Sequence, residues 1–233
     1  MSEIVNAIVL TSKPYRENDL LVTVLTENHN KLTIILFNAN KSNSRRKSSS
    51  LPLTHVRYNI KYNMTTTFYS PLSIDIIKQN YDIYTNNNLI LCTNLIIELL
   101  NKSNIDSSLY NILIYYINNI NNNNYYTCLA LFIKYIYEFE GILPQVEHCS
   151  MCDNTKVINF SIKQGGLVCN KHNDLTNIID HNTLRKIRAI IHADFTKLEY
   201  FKGELLVNKE DIIFLLEFYE YHLNTKVKTK DML

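Results

Sequence analysis

Tryptophan is absent from this 233-residue chain, and glycine and proline number only four each. No G-x-x-x-x-G-K-[ST] loop occurs, so ATP hydrolysis is not expected. No H-x-E or H-E-x-x-H occurs either, which removes the general acid/base that zinc deaminases and metalloproteases need. No apolar run approaches a membrane span, and the opening MSEIVNAIVL lacks the basic-then-apolar pattern of a signal peptide. No internal repeat is apparent. The five cysteines are an odd number. Cys92 and Cys128 fall on apolar helix faces, so this is thiol usage for a reducing compartment and the expected location is the cytoplasm.

What is present suits a folded chain: 46% of residues are hydrophobic and 20% charged, enough for one large domain or two small ones. Asparagine is abundant, with 31 residues. Its runs at 86–88 and 121–124 read as loops filled by a polar residue that AT-rich codons favour. The net charge of +2 is unevenly spread. Residues 1–80 hold ten Lys/Arg against five Asp/Glu, whereas the remainder holds 14 against 17. A basic first third suggests a polyanion-binding module.

Cys149-x-x-Cys152 and Cys169-x-x-His172 are separated by 16 residues. Each short turn aims two ligand atoms at one point, and two such turns complete a tetrahedron. Three thiolates and one imidazole suit a closed structural zinc site with no position left for a substrate. His148, beside Cys149, is the only credible substitute ligand. Gly165-Gly166, the only glycine pair, reads as the tight turn that brings in the second pair.

Periodicity divides the chain. Ile4–Leu10, Leu20–Thr26, Leu32–Phe37, Leu53–Lys61 and Thr65–Tyr69 read as strands. In the fourth, Thr54, Val56, Tyr58 and Ile60 share one face, and His55, Arg57, Asn59 and Lys61 the other. Five short strands suggest a five-stranded OB-type barrel, which presents a face and its loops to oligonucleotides. Pro71 is expected to end it. Helical spacing follows at 87–101, at 107–119 (capped by Asp106 or Ser107), at 125–139, at 181–192 and at 209–223, where Asn224 takes the place of a glycine cap. The expected fold class is therefore α+β: an OB-type barrel at 1–72, then an α-helical domain at 73–233 carrying a zinc-binding segment at about 148–175.

Four cations, Lys41, Arg45, Arg46 and Lys47, fall within seven residues between the third and fourth strands. Interspersed serine and asparagine make the stretch read as a flexible loop with donors for phosphate oxygens. Such contacts release counterions and are strong, sequence-blind and salt-sensitive. Arg57 and Lys61 on the neighbouring strand, with Arg16 and Lys31, are expected to join them on nucleic acid. Tyr62 or Tyr69 is a candidate platform for a base.

Several stretches, in this order, resemble the RecO family of bacterial DNA repair proteins: Ala7–Leu10, Tyr15–Leu20, Leu25–Glu27, the basic-serine loop with Leu51-Pro-Leu53, Phe139–Pro144, Cys149–Cys152, Gly165–Cys169 and Tyr219–Lys228. Where that family usually carries glycine, this chain has Asn30 and either Asn38 or Asn40, and asparagine tolerates positive φ best among the other residues. The resemblance implies a non-enzymatic recombination mediator. Such proteins bind single- and double-stranded DNA, anneal complementary strands, and work with RecR to load RecA onto strands coated by single-stranded DNA-binding protein. It also implies docking of that protein's acidic C-terminal tail in an apolar pocket of the helical domain, with Lys134, Arg185, Lys186 and Arg188 as candidate rim cations. Two other readings are a zinc-stabilised RNA-binding or structural adaptor and a zinc-dependent hydrolase or deaminase. The latter needs an open metal position that a four-ligand site does not leave.

Overall fold

A computed structural model describes residues 2–103, 107–174 and 178–233. Five antiparallel strands come first: β1 (Glu3–Tyr15), β2 (Asp19–Thr26), β3 (Lys31–Leu36), β4 (His55–Ile60) and β5 (Ser73–Lys78). Five helices follow: α1 (Asn87–Lys102), α2 (Ser108–Asn119), α3 (Tyr125–Glu140), α4 (His181–His192) and α5 (Lys209–Leu223). A hairpin of β6 (Val157–Ser161) and β7 (Gly166–Cys169) lies between α3 and α4. The fold is α+β with an N-terminal OB-type barrel. Among the described residues no helix is long and apolar enough to cross a membrane. The expected cap Asp106 and the end of the 148–175 segment, Leu175, lie outside the described residues.

The chain divides into two compact units, one holding 1–93 and 100–118, the other 94–99 and 119–233. In the first, the strands run in the order β3-β2-β1-β4-β5. Period-two alternation turns Val5, Ala7 and Val9 of β1, Val22 and Val24 of β2, and Val56, Tyr58 and Ile60 of β4 into one core. The fifth strand is not the expected Thr65–Tyr69. Three successive threonines there find no strand partner, and only Tyr69 pairs. Its N–H donates to the Thr33 carbonyl at 2.9 Å and its carbonyl accepts from the Ile35 N–H at 2.8 Å, joining the segment ahead of β5 to β3. Pro71 lacks a donor but does not prevent a strand from starting two residues later. Ile74 and Ile76 of β5 face Tyr58 and Val56 across the β4 ladder. Outside the barrel, the His55 ring nitrogen Nε2 lies 2.8 Å from the hydroxyl of Tyr110 in α2.

In the second unit α3 is the hub. Cys128, Leu131, Phe132 and Ile136 are buried, and the helix packs on α4 and α5. The Tyr137 hydroxyl donates to the Leu215 carbonyl of α5. Phe160 of β6 meets Phe214 and Phe218 of α5 edge to face, which fixes the hairpin on the helices. α3 ends at Gly141 (φ 70°) and α5 at Asn224 (φ 48°), the left-handed caps that glycine and asparagine tolerate. α5 opens with a capping box between Asn208 and Asp211.

Asp211 also neutralises a buried cation. Its Oδ2 lies 2.6 Å from the Lys186 ammonium of α4, and both residues are buried. A buried carboxylate left without its cation is costly. Lys186→Ala should lower stability by about 3 kcal/mol. Chemical denaturation reads this, and a midpoint equal to the parent's would show the pair to be idle.

Candidate metal centre and nucleic-acid interface

The two ligand pairs meet. The Cys152 N–H donates to the Cys149 carbonyl at 3.2 Å and the His172 N–H to the Cys169 carbonyl at 3.0 Å, so both C-x-x-[CH] segments are tight turns. The first turn is pinned to the hairpin by the Ser150 N–H on the Leu167 carbonyl, 2.7 Å away. Cys169 ends β7, the second strand of that hairpin. The four ligand atoms lie within 4.8 Å of one another. His172 Nδ1 is 3.5 Å from the sulfurs of both Cys149 and Cys169, and the Cys152 and Cys169 sulfurs are 3.9 Å apart. Bonds of about 2.3 Å to sulfur and about 2.0 Å to nitrogen in a tetrahedron place sulfur about 3.5 Å from nitrogen and about 3.8 Å from sulfur. The cluster therefore fits a metal of that size and can hold one.

Burial opposes ionisation of Cys149, but hydrogen bonds from the Cys169 and Met151 backbone and from His172 outweigh it, bringing its thiol down to about 6. Cys152 accepts a lowering hydrogen bond from Asn154, yet burial and the neighbouring sulfurs push its pKa up. The cluster thus favours a thiolate at Cys149, and a bound cation would displace the remaining protons. His148 is not a ligand here: its Nδ1 faces the carbonyls of Cys149 and Cys152 at 2.9 and 3.3 Å. The two glycines differ in role. Gly165 (φ 76°) makes the turn, whereas a Cβ on Gly166 would sit 2.3 Å from the Gln145 carbonyl oxygen.

The basic segment forms a ridge of successive turns where its serines suggested a flexible loop. Ser44, Lys47, Ser49 and Ser50 donate their N–H groups to the carbonyls of Lys41, Ser44, Arg46 and Lys47, a run of three-residue turns. The hydroxyls of Ser48, Ser49 and Ser50 donate to the carbonyls of Arg45, Arg46 and Lys47 at 3.1, 2.7 and 2.7 Å. They hold the ridge and are not spare phosphate donors. Gln79 Nε2 and the Tyr58 hydroxyl anchor it through the carbonyls of Ser48 (3.1 Å) and Ser49 (3.4 Å). Lys41, Arg45, Arg46 and Lys47 stay exposed, and among the described residues none of them forms an ion pair with a carboxylate.

The other expected cations are not gathered on this ridge. Arg57 points to the opposite side of β4 from Tyr58, its Nε donating to Asn6 Oδ1 at 3.2 Å, with Asp75 beside it in the β5 register. Lys31 donates to the Leu100 carbonyl in the last turn of α1 at 3.0 Å, and burial lowers its pKa. Arg16 sits at φ 52° in the β1–β2 turn, 5.1 Å from the Tyr15 ring centroid. Lys61 is exposed just after β4. Tyr62 is stacked between His29 (3.9 Å) and Tyr69 (5.7 Å). In the second unit all four expected rim cations are engaged: Lys134 with Glu138 at 2.6 Å, Arg185 with Glu204 at 2.9 Å, Lys186 with Asp211, and Arg188 Nε with the Val146 carbonyl at 3.0 Å.

A family model for the N-terminal part of recombination protein O matches residues 1–80, and one for its C-terminal part matches residues 81–231. The chain belongs to the RecO family. It is 24% identical to the DNA repair protein RecO of Desulforamulus reducens over 237 residues, covering 98% of this chain and 92% of that protein. It is 28% identical to that of Mesoplasma florum over 234 residues, covering 96% and 86%. With the RecO protein of Thermodesulfovibrio yellowstonii it shares 29% identity over 175 residues, 71% of this chain and 68% of that protein.

In this RecO-family chain the reading from sequence missed β5 as a wall for the basic ridge. Arg45, Arg46, Ser49, Ser73, Ile74 and Ile76 line a cavity of about 270 Å³. The alternation Ile74-Asp75-Ile76 was the available signal, obscured by Pro71. The ligand geometry predicts one equivalent of bound metal per chain, with Cys152→Ser losing most of it and unfolding more readily. Elemental analysis of purified protein checks this, and under a tenth of an equivalent on a folded parent would contradict it.

Proposed function

We propose that this protein is a non-enzymatic DNA-binding mediator of recombinational repair, acting at the nucleoid in the bacterial cytoplasm. It binds single- and double-stranded DNA, anneals complementary strands, and helps load RecA together with RecR. The observation that carries the reading is the ridge of Lys41, Arg45, Arg46 and Lys47: exposed, free of carboxylate partners among the described residues, and held in one shape by Ser48–Ser50. Annealing needs no bond chemistry, only neutralisation that lets two phosphate backbones approach. Arg16 and Lys61, both exposed, are peripheral contacts. Zinc is the metal that the donor set favours, since three cysteines and one histidine suit it and leave no coordination position for a reaction. When bound it would cross-link the 149–152 turn to the end of β7, supplying stability and no catalytic step.

Partner docking falls to the helical unit. An apolar cavity of about 250 Å³ lies between the end of α4 and the 195–205 segment, with Ala189, Ala193, Phe201 and Leu205 in its walls and Lys197 among its lining residues. An apolar cavity with a cation suits the acidic, apolar-ended tail of single-stranded DNA-binding protein. Lys197 takes the rim role there in place of the four engaged cations. RecR as partner rests on family membership.

Replacing Arg45, Arg46 and Lys47 by alanine removes three phosphate contacts. The slope of log affinity for single strands against log salt should fall by up to about two units, with annealing falling in parallel. Filter binding across a salt series checks this, and an unchanged slope would relegate the ridge to a solvated turn. For the helical unit, Lys197→Glu should weaken tail-peptide binding about tenfold, the value of one charge-assisted contact. Calorimetry at low salt that shows equal affinity, or no binding by the parent, would remove that docking site.

A further inference from the structure

The cavity between the basic ridge and β5 has a chemistry that phosphate binding leaves unused. Arg45, Arg46, Ser49 and Ser73 bring charged and polar side chains to its lining, and Ile74 and Ile76 bring apolar ones. Ile76 is 42% exposed although it shares the core-facing side of β5 with Ile74. The Ser49 hydroxyl in the wall is already spent on the Arg46 carbonyl. At about 270 Å³ the space is just below the roughly 300–1,000 Å³ of drug-sized sites, which suits a single planar group.

A duplex presents only phosphates and groove edges, because its bases are stacked inside. A single strand offers unpaired bases one bond network away from the phosphates that the arginines would hold, and such bases seek apolar and guanidinium surfaces. We infer that this cavity receives one unpaired base of single-stranded DNA against Ile74 and Ile76, with Arg45 and Arg46 on the flanking phosphates. The inference rests on the proposal that the ridge binds DNA, and adds to it a means of telling single strands from duplex. Charge complementarity selects this occupant: Arg45 and Arg46 form no ion pair with a carboxylate among the described residues, and they line the same cavity as the apolar Ile74 and Ile76. A base with its flanking phosphates matches both surfaces.

Ile76→Thr keeps a β-branched side chain in an exposed strand position while removing apolar surface. It should weaken single-strand binding about fivefold and leave duplex binding within about a factor of two. An oligonucleotide of abasic sites probes the same contact with the parent protein unaltered. It should bind about fivefold more weakly than the ordinary strand, and Ile76→Thr should weaken it no further. Arg45→Ala with Arg46→Ala should weaken ordinary, abasic and duplex DNA alike. Equal affinity of the parent for ordinary and abasic strands overturns the base contact while leaving the phosphate reading intact, whereas no effect of the arginine pair on any DNA sinks the phosphate reading itself. If Ile76→Thr spares both DNA forms but loses an acidic, isoleucine-bearing peptide that the parent binds, the cavity is a peptide site and the inference fails.

Discussion

The N-terminal half hangs on one thirteen-residue strand. β1 pairs with β2 along one edge and with β4 along the other, so every other strand of the sheet is placed relative to it. Because side chains alternate with a period of two, a slip of one residue would exchange Val5, Ala7 and Val9 for Ile4, Asn6 and Ile8 in the core. A register shift between Val9 and Thr11 bends the strand beyond that core. The same strand sets the start of β4, through the Leu53 N–H on the Val9 carbonyl (2.8 Å) and the Val9 N–H on the Thr54 carbonyl (3.0 Å). Leu53 is buried at φ 57°, a conformation that leucine rarely adopts, so these hydrogen bonds work against local preference. The basic ridge hangs from this junction, because it is the chain that leads into Leu53.

Much of this was legible in the sequence, because the legible parts obey local periodicity. The α1, α3, α4 and α5 ranges follow the three-four spacing of their apolar residues to within a residue, and the alternation in Leu53–Lys61 assigned both faces of β4 correctly. The Cys149, Cys152, Cys169 and His172 cluster was legible for a different reason: a C-x-x-[CH] turn brings its own two atoms together, so only one long-range contact remained to be guessed. β5 was not legible, since Ser73–Lys78 is mostly exposed and its identity as a strand comes from pairing with β4.

The charged side chains were the hardest to read, because their roles depend on neighbours distant in sequence. Lys31 is assigned by a carbonyl 69 residues away and Lys186 by a carboxylate 25 residues away. Nothing in the composition separates these from the exposed Arg45 or Arg46. Scarce glycine was a weaker obstacle. Asn30, Asn38 and Asn224 occupy positive φ at 54°, 57° and 48°, where asparagine is the next best choice, so the turns survive a glycine-poor composition.

The serine clasp on the ridge has a thermodynamic meaning. A disordered basic loop must order as it meets its polyanion, and that step costs conformational entropy and appears as a heat-capacity change. Here the carbonyls of Arg45, Arg46 and Lys47 are tied down beforehand by Ser48, Ser49 and Ser50. Encounter with a polyphosphate would then resemble docking of a pre-shaped charged edge. Less conformational entropy would then be lost on contact, and long-range attraction and ionic strength would set the encounter.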